Sequence, residues 1–435
     1  MSKLVTVIGP VGTRSGYGSH ARDIVLSLLD LGYDVKTLPI RWGNTPQNAL
    51  DTNNERDKRI IDTLSVDGRI DRQPDMHFHI SVPVEFQQVG KVSIGITAGV
   101  EWTIPNPQWV DAMNFVDYNL VPSNFVKDVF TSCEFDFTDP QTNQPKKVKL
   151  QKPIDVLFEG YDENIYKKTN EFSESLVNEM SQIDNDFCFL YVGHWLPGPL
   201  GHDRKDTGML VKAFLETFKN TDNAPALVLK TSMVDFSPVD KYEIMKKIDN
   251  IKSQVGAKKL PKIYLLHGEL SDIQMNELYN HPKVKAMISF TKGEGFGRPL
   301  LEFSTTGKPV IAPAFSGHVD FLNKDMSILL AGGLSPVHDK AIQENYKHKD
   351  SKWFTIDYNQ GAFAMKEVYS KYDKFLPKSY LQKQFSENFT LKKMTEKLGE
   401  YLGPIESKLS TQVAVNLPKL KKKNTQIELP KLKKK

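Results

Sequence analysis

The 435-residue sequence has only two cysteines, Cys133 and Cys188, far apart in the chain and without metal-ligand spacing. That excludes a disulfide framework and suits a reducing, cytoplasmic compartment; both read as core filler. Long apolar runs are missing, and none approaches the roughly 20 residues of a membrane span. The opening MSKLVTVIGPVG has too short an apolar part for a secretory signal and reads as a buried first strand. No Asp-x-Asp pair stands at a predicted strand end; the nearest lookalike, EFDFTD at 134–139, falls in a polar stretch. No motif for a cofactor stands out either, and none is expected. A large net charge is lacking only in sum. Residues 417–435, LPKLKKKNTQIELPKLKKK, carry eight lysines against one glutamate, so within the total of +4 a body of −3 carries a tail of +7.

What is present is a soluble, globular composition, 39% apolar and 25% charged. The length is too great for one ordinary core, so two domains are expected. Short apolar runs alternate with amphipathic segments. KLVTVIG, YDVKTLPI, MHFHISV, VSIGITA and YNLVPS read as strands of a first unit, with YGSHARDIVLSLLDLG, WVDAMNFVD and NFVKDVFTSC as helices. A second series runs from DFCFLYVG through PALVLKTS, KIYLLHG and KVKAMISF to PVIAP, with MLVKAFLETFKN and DIQMNELYNH as helices. This alternation predicts α/β architecture: two doubly wound, Rossmann-like parallel sheets facing a central cleft, with ligands at the carboxyl ends of the strands. The expected division is 1–170, 171–375, C-terminal helices at 376–403 that pack back on the body, and a disordered lysine-rich tail at 404–435 containing the LPKLKKK repeat. The polar stretch 131–152 reads as a surface loop or hairpin.

One stretch carries chemistry. In GEGFGRPLLE (293–302), Gly293, Gly295 and Gly297 alternate, and Arg298-Pro299 then opens RPLLEFSTTG. Proline suits a first helical turn, and Gly307 stands where the helix should stop. A glycine-rich loop feeding a helix start offers bare N–H groups and a positive dipole end, which suits a phosphate. A second glycine site, Gly16 and Gly18 in SGYG, is either a backbone cradle or a plain strand–helix turn. Lys230 ends a predicted strand and either faces a ligand or is an ordinary surface lysine. Glu101-Trp102 follows a predicted strand of the first unit, where an acceptor would lie, with simple packing as the other reading. His20, His194 and His318 are not marked by spacing.

In these residues the chain resembles the retaining glycosyltransferases of GT-B architecture, the family-4-like group that includes sucrose synthases and bacterial mannosyltransferases. The match is densest over 267–322, where a strand ending in glycine, a helix and a strand precede E-G-F-G-x-P-x-x-E and G-x-P-V-I-A. The E-x7-E pair is Glu294 and Glu302. VLFEGYDENIY resembles the hinge signature, with Gly160 and Asp162, and RKDTGMLVKAF places Lys205 at the family lysine. The family arginine after the glycine of the first C-domain strand is absent: Gly193 is followed by His194, and Arg204 is the substitute at hand. The resemblance implies a nucleotide-diphosphate sugar donor, UDP among the candidates. It implies Glu302 on the ribose diol, Glu294 on sugar hydroxyls, Lys205 and Arg204 on the diphosphate, and Gly295, Phe296, Gly297 and Arg298 around the donor. Metal-independent, retaining transfer follows from the same likeness. Compact GT-B chains with basic tails resemble phage- or bacterium-encoded enzymes that decorate envelope polysaccharide or hydroxymethylated DNA bases. The tail, fit for a polyanion, tilts the expected acceptor to DNA, with polysaccharide or lipid as alternatives. A nucleotide-sugar epimerase and a non-catalytic binding module are the rival functions.

Overall fold

A computed structural model of the protein describes residues 3–65, 67–138, 142–341 and 348–411. In the N-terminal half, β1 (Leu4–Gly9), β2 (Asp34–Pro39), β3 (Met76–Ile80), β4 (Val92–Ile96) and β5 (Tyr118–Val121) precede a hairpin, β6 (Glu134–Thr138) and β7 (Pro145–Lys149), and then β8 (Ile154–Val156). In the C-terminal half come β9 (Cys188–Val192), β10 (Ala226–Lys230), β11 (Ile263–Leu266), β12 (Val284–Ile288), β13 (Val310–Pro313) and β14 (Ile328–Leu330), followed by an antiparallel pair, β15 (Gly332–Pro336) and β16 (Lys352–Ile356).

The main sheets run β2-β1-β3-β4-β5-β8 and β11-β10-β9-β12-β13-β14, every pair parallel. Both are doubly wound: the chain starts at an inner strand and winds outwards on each side. The strand order therefore reverses beside β1 and beside β9, and the crevice at such a reversal is where open α/β sheets take ligands. Apolar runs such as MHFHI are buried throughout because helices cover both faces of a parallel sheet. Along β9 the side chains alternate: Phe189 and Tyr191 enter one core, Cys188 and Leu190 the other.

The terminal helix, Leu391–Thr411, returns to the N-terminal half. Met394, Leu398 and Leu402, at four-residue spacing, are buried in the core of the first sheet. Thr395 Oγ1 lies 2.7 Å from Ser27 Oγ, and Lys3 pairs with Glu406 at 2.8 Å. At Gly160, of the hinge signature, a Cβ would stand 2.6 Å from Leu391 Cα, so glycine lets the helix start press on the hinge. The expected start of the tail at 404 needs correction. Pro404 lies inside the helix, and burial of Ile405 on the next turn carries the helix on to Thr411. Residues 412–435, with the predicted lysine-rich segment, lie outside the described residues. Among the described residues no helix is long and apolar enough to cross a membrane.

Candidate functional site

The chain leaves β12 at the C-sheet reversal and enters the glycine loop. Gly297 adopts φ +97° as the N-cap of the helix Arg298–Ser304, which has Pro299 in its first turn; Gly307, at φ +75°, follows its end. The other two glycines lie against the other half of the molecule. A Cβ on Gly293 would stand 1.8 Å from Glu101 O, and one on Gly295 2.4 Å from Ala98 O. They admit the backbone of the opposing domain, and Ser123 Oγ donates to Gly295 O at 2.7 Å across the same seam. Ser316, at φ +73°, accepts from Glu294 N at 2.9 Å through its Oγ. A non-glycine residue held there is strained, and such strain clusters at functional sites.

Arg204 and Lys205 reach the loop from the long connection after β9. Their backbone is pinned by Lys292 N donating to Arg204 O at 2.7 Å. Lys292 is itself 1% exposed; its Nζ lies 3.2 Å from Asp206 Oδ2, which also accepts from Tyr358 OH at 2.6 Å. Arg204 and Lys205 then converge on one carboxylate. Lys205 Nζ stands 2.5 Å from Glu294 Oε1, and Arg204 Nη1 3.4 Å from Glu294 Oε2. Arg204 also donates to Gly293 O at 2.9 Å and pairs with Glu101 at 3.2 Å. Burial pushes the Glu294 carboxyl up, but the Lys205 and Arg204 charges outweigh it and hold it at about 2. Burial likewise lowers Lys205 below the ordinary lysine value, against the pull of Glu294. Only 20 Å³ remains between Lys205, Glu294, Gly297 and Pro299, room for about one water. The cleft is closed, with Glu294 seated where an anion would meet the cations.

Glu302, one turn into the helix, is 6% exposed. It accepts from Arg298 Nε at 2.9 Å and from Tyr279 OH at 3.3 Å. Burial raises its carboxyl to about 7 against the opposing charge of Arg298, with Asp272 adding to the rise. Arg298 does not stand free for a phosphate: its Nη1 is 2.5 Å from Asp23 Oδ2 on the helix Gly16–Asp30. Phe296 is buried and packs on Phe321 with ring centroids 4.9 Å apart. Lys230 ends β10 and is buried rather than on the surface; it donates to Gly268 O at 2.5 Å, and burial lowers it to about 8. Gly16 and Gly18 differ. A Cβ on Gly16 meets nothing, whereas one on Gly18 would stand 2.2 Å from Thr13 O, so only Gly18 is demanded by packing. Trp102 is buried among Phe86, Trp109 and Trp353, which is the packing reading. His318 is buried, with its Nε2 2.7 Å from Pro313 O.

Sequence reasoning missed Asp23, Arg56, Lys292 and Asp206. No motif marks them, and buried charge is visible only once the fold is known. Sequence separation of 275 residues hides the Asp23–Arg298 pair.

No protein-family model and no curated protein sequence matches the chain. Solved structures do. HepE from Anabaena, in complex with UDP and glucose, aligns over 92% of this chain and 100% of its own at TM-score 0.59 and 12% identity. Sucrose-phosphate synthase from Thermosynechococcus elongatus aligns over 93% and 100% at 0.62 and 11%. A glycosyltransferase from Rickettsia africae aligns over 93% and 99% at 0.58 and 16%. The chain has the GT-B fold of these proteins.

Proposed function

We propose that the protein is a retaining, nucleotide-sugar-dependent glycosyltransferase that works without a divalent metal. The observation that carries this is the convergence of Lys205 and Arg204 on Glu294, in the glycine loop that feeds the 298–304 helix, with Glu302 one turn into that helix. Donor binding opens the seam, and the diphosphate takes the place of the Glu294 carboxylate against the two cations and the helix amides. Glu294, released, accepts from hydroxyls of the donor sugar, and Glu302 accepts from the ribose diol.

Negative charge grows on the leaving diphosphate as the anomeric C–O bond breaks, and fixed cations aimed at it lower the barrier. A new C–O bond forms from the acceptor oxygen on the same face, and the acceptor proton passes to the leaving phosphate oxygen. This step needs no side-chain base. The acceptor proposed is a hydroxymethylated base of DNA, a reading supported by the +7 segment 417–435. Envelope polysaccharide or lipid is the alternative acceptor, and the lysine-rich segment then serves another anionic surface.

The test is a panel of nucleotide sugars, UDP-glucose first because the Anabaena structure holds UDP and glucose. Hydroxymethylated DNA, lipid and polysaccharide acceptors are run in parallel. Diphosphate release that depends on an acceptor, with the sugar recovered on it, supports the reading. Interconversion of free nucleotide sugars supports an epimerase instead. Absence of turnover across the panel supports a binding module.

A further inference from the structure

A chain of buried carboxylates and half-buried guanidinium groups crosses the cleft and ends on Glu302. Asp23, on the N-terminal helix Gly16–Asp30, is 1% exposed. Two guanidinium groups from different halves of the molecule meet on it. Arg56 Nη2 stands 2.8 Å from its Oδ1, and Arg298 Nη1 stands 2.5 Å from its Oδ2. Each arginine has a second carboxylate. Arg56 Nε lies 3.0 Å from Asp162 Oδ2, in the hinge signature, and Arg298 Nε lies 2.9 Å from Glu302 Oε1. The order from hinge to helix is Asp162, Arg56, Asp23, Arg298, Glu302.

A buried pair of this kind is weak as a source of stability, because desolvation opposes the attraction; its better-attested use is to fix one arrangement. Here the arrangement is that of the two halves. When the cleft opens, Arg298 loses Asp23 and keeps only Glu302, on its own helix. It is then free to swing towards Glu302 and occupy the carboxylate lone pairs that a diol needs. When the cleft closes, Asp23 draws the guanidinium tip away, and Glu302 is held through Nε alone. The planar fork of arginine makes this division possible, since one nitrogen serves each carboxylate.

We propose that Asp23 and Arg56 are positioning residues for the donor nucleoside, setting Glu302 through Arg298 and tying the ribose grip to closure at the hinge. This rests on the reading of Glu302 as the ribose ligand. Because coupling is reciprocal, a nucleoside held by Glu302 favours the closed cleft to the same degree.

Calorimetric titration of the full chain with UDP, GDP, ADP and dTDP identifies a nucleoside diphosphate that binds. That ligand is then titrated into Asp23→Asn, Glu302→Ala and the double variant. Glu302→Ala weakens binding, and Asp23→Asn weakens it about tenfold, within the usual range for coupled sites. On the Glu302→Ala background Asp23→Asn adds little, because both act through one contact. The donor KM of Asp23→Asn rises while kcat changes about twofold or less, the pattern of lost binding shared by ground and transition states. Equal weakening on both backgrounds overturns the proposal, as does Asp23→Asn binding like the unmodified chain while Glu302→Ala fails. If Glu302→Ala binds normally, the ribose reading itself is overturned. Where Asp23→Asn loses its melting transition, Arg56→Lys runs through the same cycle; it keeps the charge, loses the fork, and alters a side chain that is 20% exposed.

Discussion

At the scale of the residue, the site is defined by who holds Glu294. Its carboxylate is kept ionised down to about pH 2 by Lys205 and Arg204 despite burial. Lys205→Ala removes the cation proposed to face the leaving group. Its kcat should fall about 100-fold or more, measured at saturating donor. Glu302 is the opposite case, since burial raises it to about 7. Below that pH it is protonated and accepts poorly from a diol, so donor KM rises as pH falls through 7, and Glu302→Gln flattens the profile. Stability runs the other way. The folded chain holds the Glu302 proton more tightly than the unfolded chain does, so this stabilising contribution is present below the ordinary 4.5 and is lost as pH rises through about 7. Over that window Glu302→Gln should gain in Tm relative to the unmodified chain. The groups facing Glu302 that set this balance are Arg298, Asp272 and Tyr279.

At the scale of the element, the glycine loop and the helix it feeds explain the closed seam. Gly295→Ala sets a Cβ against the Ala98 carbonyl of the other half, while each half keeps its own core. Activity should fall at least about tenfold through misplacement of the reacting groups. The radius of gyration in solution should increase, with Tm little changed. Gly16→Ala, in open space, leaves both folding and closure intact and weakens donor binding only if the diphosphate approaches that turn.

Five of the six strands of each sheet and the 298–304 helix were legible because parallel strands are continuous apolar runs bounded by glycine or polar turns, as in LVTVIG and VKAMI; the three-residue edge strands β8 and β14 are too short for such a run and were not read. The helix Pro238–Val255 was not read from the sequence. Its buried positions, Ile244, Ile248, Ile251 and Val255, form a narrow stripe amid lysines, and its other face leaves Val239 and Tyr242 exposed. The boundary expected between 375 and 376 falls inside the helix Tyr372–Ser386; the helical breaks lie between Ser370 and Tyr372 and at Glu387–Phe389. Of the site, the E-x7-E pair and Lys205 were marked by the family resemblance. That Gly293 and Gly295 face protein backbone, and that Arg298 faces Asp23, depends on how the two halves meet, which no local pattern records.

At the scale of the whole molecule, two similar sheets face each other and the terminal helix ties the second half back to the first through Met394, Leu398 and Leu402. Transfer is therefore expected to be gated by opening and closing of the seam. The segment 417–435, with eight lysines, is proposed to add a separate, sequence-blind attraction for polyanions. Deleting it should raise the KM for hydroxymethylated DNA at low salt and flatten the dependence of that KM on salt; an unchanged KM at low salt removes DNA as the proposed acceptor. The measurement that tests the central claim most directly is a crystal structure with a nucleoside diphosphate bound. The account predicts phosphate oxygens within hydrogen-bond distance of Lys205 Nζ and of the amides opening the 298–304 helix, Glu294 displaced, and the ribose hydroxyls on Glu302. A nucleotide bound elsewhere, with Glu294 still seated on Lys205, would contradict it.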